Sequence, residues 1–182
     1  MTNAPDDETL MLAYAQGRVA AFDALYQRHR GGLYRFLQRN LRNPALADEV
    51  FQDVWQRVIA ARTRYRPDAR FTTWLYQIAH NRLRDHWRAA EHRPDPPADA
   101  DARLAAVVDP GTPDGAVSRF EERRRLQRAL DALPDEQREA LLLRLEQELS
   151  LEEIAAITGV GRETVKSRLR YATDKLRTSL LP

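Results

Sequence analysis

The sequence predicts an all-α chain of two small helical domains, the second carrying a helix-turn-helix. Three observations lead there. Apolar residues recur at steps of three and four through most of the 182 residues, and no stretch alternates with period two for long enough to suggest a sheet. Residues 94–115 hold five prolines, two glycines and five aspartates against one arginine, a composition that opposes regular structure and reads as a flexible acidic linker. Residues 150–170 read as a short apolar helix, a glycine turn and a basic helix. The expected domains are therefore 1–93 and 116–182, joined by 94–115.

Each element follows from its own pattern. From Phe22, the positions Leu25, Tyr26, Leu33, Phe36, Leu37 and Leu41 keep helical spacing. A cleaner stripe of Ala47, Val50, Phe51, Val54, Trp55, Val58 and Ile59 predicts an amphipathic helix starting near Pro44, where proline suits a first turn. Residues 62–70 break the pattern and read as a loop. Trp74, Leu75, Ile78, Ala79 and Leu83 make a third stripe, which places Trp74 in the core. Beyond the linker the expected helices are Val117–Ala132, Asp135–Gln147, Leu151–Thr158 and Arg162–Leu180, with Pro134 near the start of the second.

Bulk composition narrows the function. Hydrophobic residues make up 43% of the chain, enough for real cores, and the net charge is only +2, so nucleic-acid binding must come from local patches. Cysteine is absent, which excludes disulfides and Cys-type zinc sites. The segment Met1–Glu8 is polar and acidic, unlike a signal peptide, and no apolar run approaches membrane-spanning length. A cytoplasmic protein without membrane insertion is expected. No cofactor, metal or catalytic residue is expected: His29, His80, His86 and His92 are scattered, and no glycine-rich phosphate loop is present.

The strongest motif lies near the C-terminus. Ser150 followed three residues later by Glu153 is a capping-box pattern. Leu151, Ile154, Ala155 and Ile157 supply an inward face, and Gly159 provides the left-handed residue that ends the helix. Val165, Leu169, Ala172 and Leu176 form the inward stripe of the next helix. Its remaining positions are Arg162, Glu163, Thr164, Lys166, Ser167, Arg170 and Tyr171, with Arg168 pointing sideways. Residues 161–177 contain six Lys/Arg and two acids, so net +4 sits on one helix. Arginines here suit paired hydrogen bonds to guanine, while Lys166, Ser167 and Arg168 suit base or phosphate contacts.

Two further motif sets complete the picture. Ala47-Asp48-Glu49-Val50-Phe51-Gln52-Asp53-Val54-Trp55 and Phe71-Thr72-Thr73-Trp74-Leu75-Tyr76-Gln77-Ile78-Ala79-His80-Asn81 resemble the second region of bacterial sigma factors. Leu133-Pro134-Asp135-Glu136-Gln137-Arg138-Glu139-Ala140 and the helix-turn-helix after it resemble their fourth region. The third region is absent, a layout that resembles the extracytoplasmic-function (ECF) class. The resemblance implies a protein that binds core RNA polymerase, through the clamp of its largest subunit, and directs it to promoter DNA.

The same resemblance implies roles for named residues. Asp48, Glu49, Gln52, Asp53 and Gln56 would contact polymerase from the outer face of the helix near Pro44, where Leu46 replaces a frequent acid of the family. Arg64, Tyr65, Arg66 and Asp68 would receive an unstacked base of the −10 element, with Tyr76, Asn81, Arg84 and Arg88 on the adjoining helix. Aromatics and arginines suit that task, by stacking and by phosphate contact. Arg162, Glu163, Thr164, Lys166, Ser167, Arg168, Arg170 and Tyr171 would read the −35 element, with Tyr171-Ala172-Thr173 replacing the family's usual Arg-Ala-Arg. An anti-sigma protein or a regulatory kinase would be a further partner. The alternative from the residues alone is an operator-binding regulator that never joins polymerase; a DNA-processing enzyme built on Asp48, Glu49 and Asp53 is disfavoured, because their helix turns them outward with no His at matching spacing.

Overall fold

The computed structural model describes residues 5–91 and 113–180, and all regular structure among them is helical. Most of the linker therefore lies outside the described residues. Its end does not: a helix begins at Pro113, so the expected irregular segment 94–115 stops at least three residues early. Proline fits a first helical turn, where its missing N–H costs nothing.

The N-terminal half comprises α1 (Asp7–Ala15), α2 (Val19–Leu41), α3 (Pro44–Ala61) and α4 (Phe71–Glu91), with a single 3-10 turn at Arg62–Arg64. Local chemistry sets several ends. Asp6 caps α1 by accepting from the Thr9 backbone N–H at 2.8 Å. Asn43 does the same for α3 through Leu46, with Pro44 in the first turn. The first of these helices, α1, has no counterpart in the sequence reading, yet it buries Leu10, Met11 and Tyr14.

The C-terminal half comprises α5 (Pro113–Asp131), α6 (Asp135–Glu146), α7 (Leu151–Thr158) and α8 (Arg162–Leu180). The last two match their expected bounds. The capping box is fully formed: Ser150 Oγ accepts from the Glu153 N–H at 3.1 Å, and Glu153 Oε2 accepts from the Ser150 N–H at 2.8 Å. Gly159 takes φ +68°, a left-handed conformation that favours glycine, and so turns the chain into α8.

The two halves are docked. One apolar cluster runs from Leu25, Phe36 and Leu37 of α2 and Leu75 and Leu83 of α4 into Leu142 and Leu143 of α6, Ile154 and Ile157 of α7 and Val165 of α8. A smaller cluster of Leu130, Leu133, Leu141 and Ala172 ties α5 and α6 to α8. Helix α7 lies against α4, and α6 against α2.

A polar seam crosses the same junction. Arg138 is 1% exposed and donates to the Leu133 carbonyl and, across the junction, to the Asn40 carbonyl, each at 3.0 Å; it also pairs with Asp135. His80 Nδ1 lies 2.8 Å from Glu139 Oε1, both side chains buried. Burial raises the Glu139 carboxyl above its ordinary value, although contact with His80 pulls the other way. Arg39 pairs with Glu146 at the rim.

Arg138→Ala should therefore cost about 3 kcal/mol, because two buried carbonyls lose their donor. Arg138→Met, which refills the volume, should cost less than the alanine. Urea denaturation midpoints of the two variants check both the loss and its order.

Candidate nucleic-acid and polymerase interfaces

Three surfaces gather the residues singled out above. The first is the outer face of α8. Arg162, Glu163, Thr164, Lys166, Arg170 and Tyr171 are exposed, and Val165 and Ala172 anchor the helix from within. The arginines are already engaged. Arg162 donates to Glu152 at 2.6 Å and to Glu163 at 3.3 Å, while Lys166 lies 3.9 Å from Glu163. Hydrogen bonding to Glu152 raises the Arg162 pKa. Arg170 lies over the Tyr171 ring, 4.9 Å from its centroid, and Tyr171 itself is 52% exposed. Ser167 is half-buried. Arg168 turns sideways as expected and pairs with Glu136 of α6 at 2.7 Å.

The second surface is the outer face of α3, whose inner stripe of Ala47, Val50, Val54, Trp55 and Val58 is buried. Asp48, Glu49, Gln52 and Gln56 are exposed. Tyr34 donates to Asp48 at 2.7 Å, which holds that carboxylate in place. Asp53 differs from the others: it is half-buried, accepts from Arg57 at 3.0 Å and pairs with Arg82 of α4. Its charge is largely spent inside the molecule, so the acidic face is Asp48 and Glu49 with two glutamines.

The third surface is an open cleft of about 470 Å³ beside the 62–70 segment. Arg64, Tyr65, Arg66 and Asp68 line it, together with Thr73, Trp74 and Gln77 of α4 and Ala156 of α7. Arg64, Arg66 and Asp68 are exposed, as are Asn81, Arg84 and Arg88 farther along α4.

Three aromatic expectations require correction. Tyr65 is not an open platform: it is 8% exposed and meets Trp74 edge-on at 5.0 Å and Phe71 at 6.3 Å. Burial, reinforced by the nearby carboxylates of Glu8 and Asp7, pushes its phenol up to about 12. Only the part of Tyr65 that reaches the cleft is available. Tyr76 is excluded from surface contact altogether: at 1% exposed it packs edge-on against Phe36 in the core. Trp74, expected in the core, is half-buried and walls the cleft.

Sequence reasoning also passed over Thr73, Gln77 and Ala156. Positions 70, 73, 74 and 77 are spaced as one helical face, a signal that was present. Ala156 carried no such signal, because it arrives from the other half of the molecule.

Comparison with known proteins bears on both halves. Residues 25–93 match the family model described as sigma-70 region 2, and residues 129–178 match that of sigma-70 region 4. The RNA polymerase sigma factor CarQ of Myxococcus xanthus is 34% identical over 170 residues, spanning 93% of this chain and 95% of CarQ. The ECF RNA polymerase sigma factor SigK of a Mycobacterium species (strain KMS) is 32% identical over 179 residues, spanning 96% and 91%. Among solved structures, CnrH in complex with the cytosolic domain of CnrY superposes with a TM-score of 0.70 at 26% identity, covering 96% of this chain and 97% of that one. Matches to both regions in one chain set aside the operator-binding regulator. The chain belongs to the sigma-70 family of RNA polymerase sigma factors, in its extracytoplasmic-function class.

Proposed function

We propose that this sigma factor divides its work among the three surfaces. The outer face of α3, through Asp48, Glu49, Gln52 and Gln56, binds the clamp of core RNA polymerase. The cleft, through Arg64, Arg66, Asp68, Trp74 and the accessible part of Tyr65, takes an unstacked base of the −10 element. Asn81, Arg84 and Arg88 continue the path along α4 for the strand backbone. Arg162, Lys166, Arg170 and Tyr171 read the −35 element from the major groove, with Glu163, Thr164 and Ser167 beside them and Arg168 steadying α8 on α6. In this reading 1–93 is the polymerase and −10 domain, and the DNA-reading domain of the −35 element starts near residue 113.

The observation that carries the reading is the exposed basic face of α8, held by a formed capping box and a left-handed Gly159, in the same chain as an exposed acidic face on α3. Sigma factors as a family are not enzymes, and we infer no catalytic step for this one. Among the described residues no group of three or more His, Cys, Asp or Glu could hold a metal ion, and no helix is long and apolar enough to cross a membrane. A cytoplasmic location fits a polymerase subunit. The CnrH structure is of a complex with another protein's cytosolic domain, which supports a protein inhibitor as a further partner here; a regulatory kinase would act at the same level.

Run-off transcription with purified core polymerase on a bacterial genomic fragment library tests the whole. New transcripts sharing two upstream elements are expected; core binding without any transcript would count against promoter reading. Asp48→Lys with Glu49→Lys should lower core affinity by about tenfold with the melting temperature unchanged, read by competition against a second sigma factor. Arg170→Ala should weaken binding to the selected promoter by about 1–3 kcal/mol if it makes a paired base contact. In that case affinity for unrelated duplex changes much less, and equal loss on both identifies a phosphate contact instead.

A further inference from the structure

Helix α4 carries one wall of the cleft, yet the residue before it cannot cap it. That residue is Arg70, whose side chain has donors only. The first intrahelical bond runs from the Trp74 N–H to the Arg70 carbonyl at 3.1 Å, which leaves the Phe71 N–H outside the ladder. It finds its acceptor 63 residues away: Glu8 Oε1 of α1 accepts from it at 2.5 Å. A carboxylate at this end of a 21-residue helix is favoured by the helix dipole as well as by the hydrogen bond. Glu8 thus does for α4 what a local serine or aspartate does for other helices.

Helix α1 also holds the other end of the same segment. Arg62, which opens the 3-10 turn, lies over the Tyr14 ring, 5.7 Å from its centroid. The helix is fixed in turn to α2: Asp7 accepts from Arg28 at 2.8 Å and lies 2.7 Å from His29 Nε2, while Leu10 and Met11 are buried. A nine-residue helix therefore braces residues 62–71 at both ends. It lies ahead of the residues that match sigma-70 region 2.

What this brace controls is Tyr65. Its hydroxyl is buried with no hydrogen-bond partner among the described residues, so no polar contact fixes the side chain. Packing alone sets its place, edge-on against Phe71 and Trp74. Both of those rings stand in the first turn of α4, and Phe71 is fully buried. Without the Glu8 acceptor the Phe71 N–H is left unpaired in a largely dry setting, and that turn frays. Trp74 and Tyr65, two walls of the cleft, then move together.

We propose that Glu8 is a positioning residue for capture of the −10 strand: it caps α4 from another helix and so holds the Trp74 and Tyr65 walls in register. The proposal rests on the strand-capture reading of the cleft. Glu8 touches no DNA in this scheme. It acts through Phe71, and its contribution is the fraction of molecules whose cleft is already shaped for a base.

The test uses full-length protein with saturating core polymerase. The probe is a labelled single-stranded 12-mer copying the non-template −10 strand of a promoter found by the run-off screen, read by fluorescence anisotropy. Glu8→Ala should weaken 12-mer binding about three- to tenfold, the scale of one lost helix cap, while affinity for core and for the −35 duplex stays as in wild type. Glu8→Gln keeps an acceptor for the Phe71 N–H and should recover most of the loss. Val54→Ala, which opens a cavity under α3, controls for general destabilisation: its urea midpoint should fall at least as far, with little change in 12-mer affinity. Wild-type affinity in Glu8→Ala would overturn the proposal. So would a Glu8→Gln no better than the alanine, or an equal loss in Val54→Ala. Trp74→Ala and Arg66→Ala separate the two levels. If both bind the 12-mer as wild type does, the strand-capture reading itself fails; if they weaken it and Glu8→Ala does not, only the positioning role fails.

Discussion

Everything in the docked molecule depends on satisfying one buried guanidinium. Arg138 has almost no access to water, so its donors need protein acceptors, and one of these is the Asn40 carbonyl on the opposite half. That bond fixes where α6 meets α2. The His80–Glu139 contact then fixes α6 against α4. Apolar side chains from both halves supply the adhesion, but they would tolerate sliding. Directional contacts between buried polar groups do not, because any shift leaves a donor or acceptor without a partner.

From that fixed junction the functional surfaces take their positions. The acidic face of α3 points away from the seam, because its apolar stripe is used up in the N-terminal core. Helix α7 is carried onto α4, and the glycine turn then projects α8 with its basic face outward. The adhesive surface and the reading surfaces are therefore different faces of the same helices.

How much of this was legible in the sequence depends on where the deciding contacts lie. Local signals were read well. Ser150, Glu153 and Gly159 act within a few residues of one another, and the bounds of α7 and α8 followed from them. The stripe from Ala47 to Ile59 likewise gave α3 its position and its outward residues. Long-range contacts were not legible. Tyr65 lies between two arginines and Tyr76 between Leu75 and Gln77, yet Phe36 and the Trp74–Phe71 pair, distant in sequence or hidden by loop geometry, decide their burial. Arg138, Glu139 and His80 carry no local sign of burial, since nothing nearby in sequence announces that the halves will meet there. Helix α1 escaped notice because its apolar residues, 10–15, follow one another without a gap instead of forming a one-sided stripe, and its start is acidic and polar.

The carboxylates standing beside the arginines of α8 carry a thermodynamic consequence of their own. Each phosphate neutralised by a free cationic side chain releases condensed counterions, which makes affinity fall steeply with salt. On the proposed reading, Arg162 would leave Glu152 and Glu163 behind on turning to DNA, and those acids would then take up cations from solution near the duplex. The net ion release is smaller than a count of basic residues suggests. A reader built this way tolerates changes in cellular ionic strength better than a bare polycation, and it gives up some attraction to arbitrary DNA in exchange for discrimination among sites.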